Sequence, residues 1–228
     1  TEAAVESGAE LMGYSGFSDT TNWFSRAYDA DLDFGAGDYS FAYWFKRNGS
    51  TGTNFVMRRT QSPAGGAGLI HAINPGGTIN AQVTDSSNEV NLSTTEAFAD
   101  NAWHMTVTTW NGTTKTLDIY VDGVLSKTGT NGSVETLSNG TAILTIGGGV
   151  GGAEAADETT LSLVRISATN PSATQIRQMY DAEKPMFVAN AECLLQSGST
   201  DAVLDVDVDP LTGKVLVTQT DAITIFDG

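Results

Sequence analysis

Trp103-His104-Met105-Thr106-Val107-Thr108-Thr109-Trp110-Asn111-Gly112-Thr113-Thr114-Lys115-Thr116-Leu117-Asp118-Ile119-Tyr120-Val121-Asp122-Gly123 decides the fold. Successive side chains of a strand point to opposite faces, so Trp103, Met105 and Val107 are assigned to one apolar face, and Leu117, Ile119 and Val121 to the matching face of a returning strand. Between them, the Asn111-Gly112 pair tolerates positive φ, and the stretch reads as one long β-hairpin. The other face collects His104, Thr106, Thr108, Trp110, Asp118 and Tyr120. Aromatic rings stack on the apolar hydrogens of a sugar while planar polar groups take its hydroxyls, so these six are the candidate glycan-binding residues.

Outward from the hairpin, strand-like segments recur at 54–59, 68–73, 78–84 and 89–93, divided by clusters of Gly, Pro, Asn and Ser. Short strands separated by turn signals predict an antiparallel sandwich rather than parallel βαβ units. Residues 23–27 read as a further short strand. Four triplets, beginning at Asn48, Asn111, Asn131 and Asn139, fit the N-glycosylation pattern, and hairpin chemistry accounts for them more simply. One helix is expected near 172–183: Ser172 and Gln175 form a capping box, Ile176, Met179 and Tyr180 make a buried stripe, and Pro185 ends it. The expected organisation is a lead-in over 1–19, a sandwich over 20–185 and a small β-rich extension over 186–228, a possible assembly element. The extension has strands at 203–208, 214–218 and 222–226 and a turn at 209–213. About forty residues is near the limit for a β-rich piece to fold alone.

Five blocks resemble laminin-G-like domains of the concanavalin A-like superfamily. Trp103-His104 with Leu117-Asp118-Ile119-Tyr120-Val121-Asp122-Gly123 is similar to the family's "WH … YVDG" signature. Gly37-Asp38-Tyr39-Ser40-Phe41-Ala42-Tyr43-Trp44-Phe45-Lys46 is similar to its "gdfSvafWvk" strand. Ile143 to Gly147, Leu161 to Ile166 and Pro171 to Tyr180 resemble its later strands and closing helix. The resemblance implies an all-β, antiparallel two-sheet jelly roll and, because relatives commonly place an aromatic where Trp23 stands, assigns Trp23 to the core. Many relatives carry a Gly-x-Phe-x-Gly turn before the "idevRiy" strand, and here Glu154 to Thr160 stands in its place. Residues 178–228 resemble segments of bacteriophage tail-fibre and other virion proteins, which implies a particle-surface, extracellular setting and assembly between subunits, commonly threefold.

Eleven basic against 27 acidic residues give a net charge of −16, which repels phosphate backbones and anionic lipid surfaces and argues against nucleic acid as a partner. No apolar run approaches the roughly 18 residues of a membrane span. The chain begins at Thr1 without Met, as an excised fragment would. Cys193 is the lone cysteine, so no intrachain disulfide forms, and its apolar neighbours suit a small buried hydrophobe.

Catalytic machinery is not evident. Glycosidases need paired carboxylates facing one cleft, and the Glu-x-Asp-x-x-Glu pattern of hydrolases on this fold is missing. His71, His104 and Cys193 offer no nucleophilic triad; His104 reads as structural and His71 has no obvious partner. Asp205-Val206-Asp207-Val208-Asp209 begins like a calcium loop, but Pro210 stands where the turn needs Gly and Leu216 where a Glu belongs. Laminin-G-like relatives often bind calcium at a sandwich rim, so the resemblance leaves calcium open with no ligands assigned. The leading expectation is a non-catalytic module of a virion appendage that binds cell-surface glycan or protein and works as a homo-oligomer, trimer favoured. The alternatives are a structural capsid or fibre decoration protein contacting only other virion subunits, and a polysaccharide-active enzyme.

Overall fold

The computed structural model describes residues 13–18, 22–49, 51–61, 65–148, 155–187, 203–208, 214–220 and 223–226. Cys193, Glu154 and the turn at 209–213 lie outside them. The chain divides into two compact units, Thr1–Ala189 and Asn190–Gly228.

The first unit is a two-sheet sandwich with antiparallel pairing throughout. Its strands are β1 (Phe24–Arg26), β2 (Tyr39–Arg47), β3 (Asn54–Gln61), β4 (Gly65–Ile73), β5 (Thr78–Thr84), β6 (Glu89–Ala97), β7 (Trp103–Asn111), β8 (Thr116–Val121), β9 (Val124–Thr130), β10 (Ile143–Ile146) and β11 (Thr159–Ser167), followed by helix α1 (Ala173–Glu183). One sheet has the order β1-β10-β3-β4-β5-β6 and the other β11-β2-β7-β8-β9. The second unit is a three-stranded sheet of β12 (Val203–Val208), β13 (Val215–Gln219) and β14 (Ile223–Phe226). Its register puts Asp205 and Asp207 on one face of β12 and Val206 on the other.

Two hydrophobic cores hold the first unit together. The larger lies between the sheets, where Tyr39, Phe41, Tyr43 and Phe45 of β2 meet Trp110, Leu117 and Ile119 on their own sheet and Met57, Leu69, Ile73 and Ile79 on the other. The smaller lies on the outer face of the five-stranded sheet, where Ile176, Met179 and Tyr180 of α1 cover Ala42, Trp44, Met105, Val107 and Tyr120. The capping box forms as expected: the Ser172 hydroxyl accepts from Gln175 N and the Gln175 side chain accepts from Ser172 N. Trp44 stacks on Phe187 with ring centroids 4.0 Å apart and donates Nε1–H to Glu183 Oε2 at 2.7 Å.

Three expectations are corrected. In the β7–β8 hairpin Thr106 pairs with Val121, Thr108 with Ile119 and Trp110 with Leu117, so Met105 and Val107 do not share a face with Leu117, Ile119 and Val121. A shift of one residue in pairing moves every side chain of an arm to the opposite face. In the hairpin loop, Lys115 takes the positive φ (56°), while Gly112 is required because a Cβ there would collide with Ala36 O. Trp23 is half-buried beside Gly148, and Phe17 fills the core. Within the N-terminal lead-in, Tyr14 exchanges two backbone hydrogen bonds with Leu161 on β11.

Candidate functional site

The six residues expected to share a polar face are distributed over three environments. Thr106 and Thr108 are fully buried and Trp110 nearly so, all on the inter-sheet side. Thr106 satisfies its hydroxyl locally by donating to Tyr120 O at 3.0 Å. Asp118 and Tyr120 point to the side that α1 covers; burial, then the Asp118 charge, raises the Tyr120 pKa. His104 stands at the rim, where the strand begins. No common surface unites them, because both faces of β7 are covered.

At the rim His104 ties two turns together. Its Nδ1 lies 2.8 Å from Asp122 Oδ2 and its Nε2 3.1 Å from Asp100 Oδ1, while Asp122 Oδ1 accepts from Met105 N at 3.0 Å. Burial disfavours the imidazolium, but the two carboxylates outweigh it and hold the pKa above the ordinary histidine value. Nearby, the buried Arg47 guanidinium donates to five carbonyl oxygens, those of Gly49, Thr51, Gly52, Ile73 and Asn74, at 2.8–3.1 Å, and to Glu158 Oε2 at 3.2 Å. That oxygen cluster would suit a hard cation, but a guanidinium already fills it. Among the described residues no group of three or more His, Cys, Asp or Glu is placed to hold a metal.

His71 is fully buried between the sheets, with Nε2 3.2 Å from the Tyr39 hydroxyl and no partner for Nδ1 among the described residues. Burial depresses its pKa to about 3, so it stays neutral and has no access to substrate.

The outer face of the six-stranded sheet is different. No described helix or strand packs across it. Registered pairs carry one row of positions on that side of all six strands, Ser25, Thr145, Arg58, Ile70, Gln82 and Asn91, of which Thr145 is buried. Beside it Asn80 pairs with Ser93. Arg58 lies over the Phe55 ring, 5.0 Å from its centroid, a cation–π contact that fixes the guanidinium plane. Asn80 Nδ2 donates to Asn91 Oδ1 at 2.7 Å and to Ser93 Oγ at 3.2 Å; Gln82 donates to Glu89; Asn74 Nδ2 reaches Ser93 Oγ at 3.3 Å. These contacts hold planar amides and a guanidinium in fixed orientations beside an aromatic ring, the combination that suits a hydroxyl-rich ligand. The signal for it in the sequence was the alternation Thr78, Asn80, Gln82, Thr84, whose partners on β4 and β6 only the fold reveals.

A family model described as the concanavalin A-like lectin/glucanases superfamily matches residues 19–177. No curated protein sequence matches significantly. Among solved structures, the binding domain of paraclostridial mosquitocidal protein 1 is similar, with a TM-score of 0.59 at 10% identity over 89% of this chain and 54% of that one. The chain thus spans about half the length of that relative. The CBM40 of Ruminococcus gnavus IT-sialidase, bound to α2,3-sialyllactose, gives a TM-score of 0.56 at 11% identity over 74% and 98% of the two chains. A native heptameric SAP-like pentraxin from Limulus polyphemus gives 0.54 at 13% over 95% and 94%. At these identities the likeness is one of fold.

Proposed function

Because the chain belongs to the concanavalin A-like lectin/glucanases superfamily, we propose that it is a non-catalytic recognition module that binds a cell-surface glycan through the outer face of its six-stranded sheet. The observation that carries this reading is the contrast between the two outer sheet faces. Helix α1 covers one with a hydrophobic core; the other presents Arg58 on Phe55 beside the Asn80, Gln82 and Asn91 amides. Sialyllactose on the similar CBM40 supports including acidic sugars among the ligands, for which Arg58 supplies a charge-assisted donor. The absence of a facing carboxylate pair in the sequence pattern supports binding without turnover. The virion setting rests on the resemblance of residues 178–228 to tail-fibre segments: there the chain works on the particle surface as a homo-oligomer, trimer favoured, among other virion subunits.

A glycan array that includes bacterial surface glycans and both sialyllactose isomers tests this. The full chain gives saturable binding, and Arg58→Ala weakens it at least tenfold, as loss of a hydrogen bond to a charged group costs about 1.5–3 kcal/mol. Silence across the array, or undiminished binding by Arg58→Ala and Asn80→Ala, overturns it.

A further inference from the structure

We infer that the open edge of the sandwich holds a second binding site, separate from the outer face, for an uncharged apolar group of about a dozen non-hydrogen atoms. A cavity of about 360 Å³ lies between β1 and β10 of one sheet and β11 of the other, which at about 30 Å³ per water-sized group sets that size.

The course of β11 is the main reason. In a regular strand only alternate side chains face one way. Here four consecutive residues, Leu161, Ser162, Leu163 and Val164, all line the cavity. They do so because the pairing with β2 slips between Ser162 and Arg165 and Leu163 adopts φ 46°, a left-handed conformation that a leucine enters only at steric cost. Bulges of this kind re-aim side chains and recur next to functional sites; this one exchanges local backbone strain for a walled cavity.

Exposure points the same way. Tyr14 is 62% exposed, Phe24 49% and Leu163 36%, three large apolar side chains at the mouth of one cavity whose floor, Leu161 and Phe17, belongs to the main core. The Tyr14 and Phe24 rings meet edge to face at 5.0 Å. The Tyr14 wall is fixed in place by its backbone hydrogen bonds to Leu161, 2.7 and 2.8 Å long. At the other edge of the sandwich the Leu92 side chain packs on Gly129 and closes the gap. Among the described residues no acidic or basic side chain lines the cavity, which selects an uncharged ligand: a free small molecule or the hydrocarbon end of a larger amphiphile.

Amide NMR spectra of the full chain, titrated separately with 1-octanol and indole, test the site, with co-sedimentation on phosphatidylcholine vesicles as a third arm. Saturable shifts centred on Ile146 and residues 161–164 are expected. Val164→Phe, which fills the cavity, and Leu163→Gly, which removes a wall while relieving the strained φ, each weaken probe binding at least tenfold. Arg58→Ala leaves it unchanged. Near-UV circular dichroism of Trp23, Trp44, Trp103 and Trp110, all in the first unit, verifies that the variants fold. Vesicle binding that Val164→Phe abolishes assigns the group to an amphiphile; probe binding without vesicle binding assigns it to a free molecule. Absence of saturable shifts up to the solubility of both probes, or full binding by both folded variants, overturns the inference.

Discussion

Arg47 Nη2 and Glu158 Oε2 face each other at 3.2 Å across the sandwich rim, with the Arg47 side chain wholly buried and the Glu158 side chain about a quarter exposed. The guanidinium is the more committed partner, since it also satisfies five backbone carbonyls from two loops. The Glu158 carboxyl is held below its ordinary pKa first by the Thr51 hydroxyl, against the opposing effect of burial, and then by Arg47. Removing one partner of a buried charged network costs about 3–5 kcal/mol. Arg47→Met is therefore expected to lower stability by about that amount in urea unfolding. Arg47→Lys recovers little, because an ammonium cannot reproduce the planar fork that reaches three segments at once.

The two histidines give opposite pH dependences. His71 is neutral when folded, with a pKa near 3, whereas the unfolded chain protonates it below about 6.5. The unfolded state then binds more protons, so stability falls as pH drops from about 6.5 towards 3. The full effect is on the order of 4 kcal/mol. His71→Phe flattens this limb of the stability curve, at a cost of about 1–2 kcal/mol for the unpaired Tyr39 hydroxyl. Urea midpoints at intervals between pH 7 and pH 4 check it; a limb of unchanged slope would exclude His71 as the cause.

His104 behaves in the opposite sense. Its pKa is raised in the folded state, so the stabilisation from Asp122 and Asp100 is fully present below about pH 6.5 and is lost as pH rises through the folded pKa. His104→Gln should therefore fall further below wild type at pH 5.5 than at pH 8.5. Equal gaps at the two pH values would show that the imidazole is never charged.

Trp110 separates a binding role from a packing role. It is almost fully buried beside Leu117 and Tyr39 in the inter-sheet core, so Trp110→Ala is expected to cost about 3–5 kcal/mol of stability. Any glycan binding by the surviving folded fraction should match wild type. A loss of glycan affinity at full stability would instead place this ring at the ligand.

Why Trp110 looked like a surface residue is a matter of register. Alternation within each arm of the hairpin is clear, but which faces coincide depends on the parity of the loop, and the pairing Thr106 to Val121 is set by the turn from Asn111 to Lys115. Threonines added to the ambiguity: Thr106 is buried with its hydroxyl spent on Tyr120 O, so a polar residue type did not mark a wet face. Features fixed locally were legible. The alternation of β5 located Thr78–Thr84 to the residue, and the Ser172–Gln175 box located α1. The proposed outer face was not, because Phe55, Arg58, Asn80 and Asn91 meet only through pairings between strands far apart in sequence.

Helix α1 makes the last expectation quantitative. Its one fully buried side chain is Ile176, which sits in the smaller core with Met105, Val107 and Tyr120. Truncation to alanine removes buried methyl groups and leaves a cavity in the contact layer between the helix and the sheet, for about 2–5 kcal/mol. The Trp44 Nε1 to Glu183 Oε2 bond and the 2.8 Å Arg165 to Glu183 ion pair tether the far end of the helix, so the loss is expected as local opening rather than global unfolding. Hydrogen exchange should accelerate in 173–183 and on the outward side of β7 and β8, while β3, β4 and β5 keep their protection. Uniform acceleration through both sheets would mean that the helix is integral to a single cooperative core, and that the covered face and the open face are not independent.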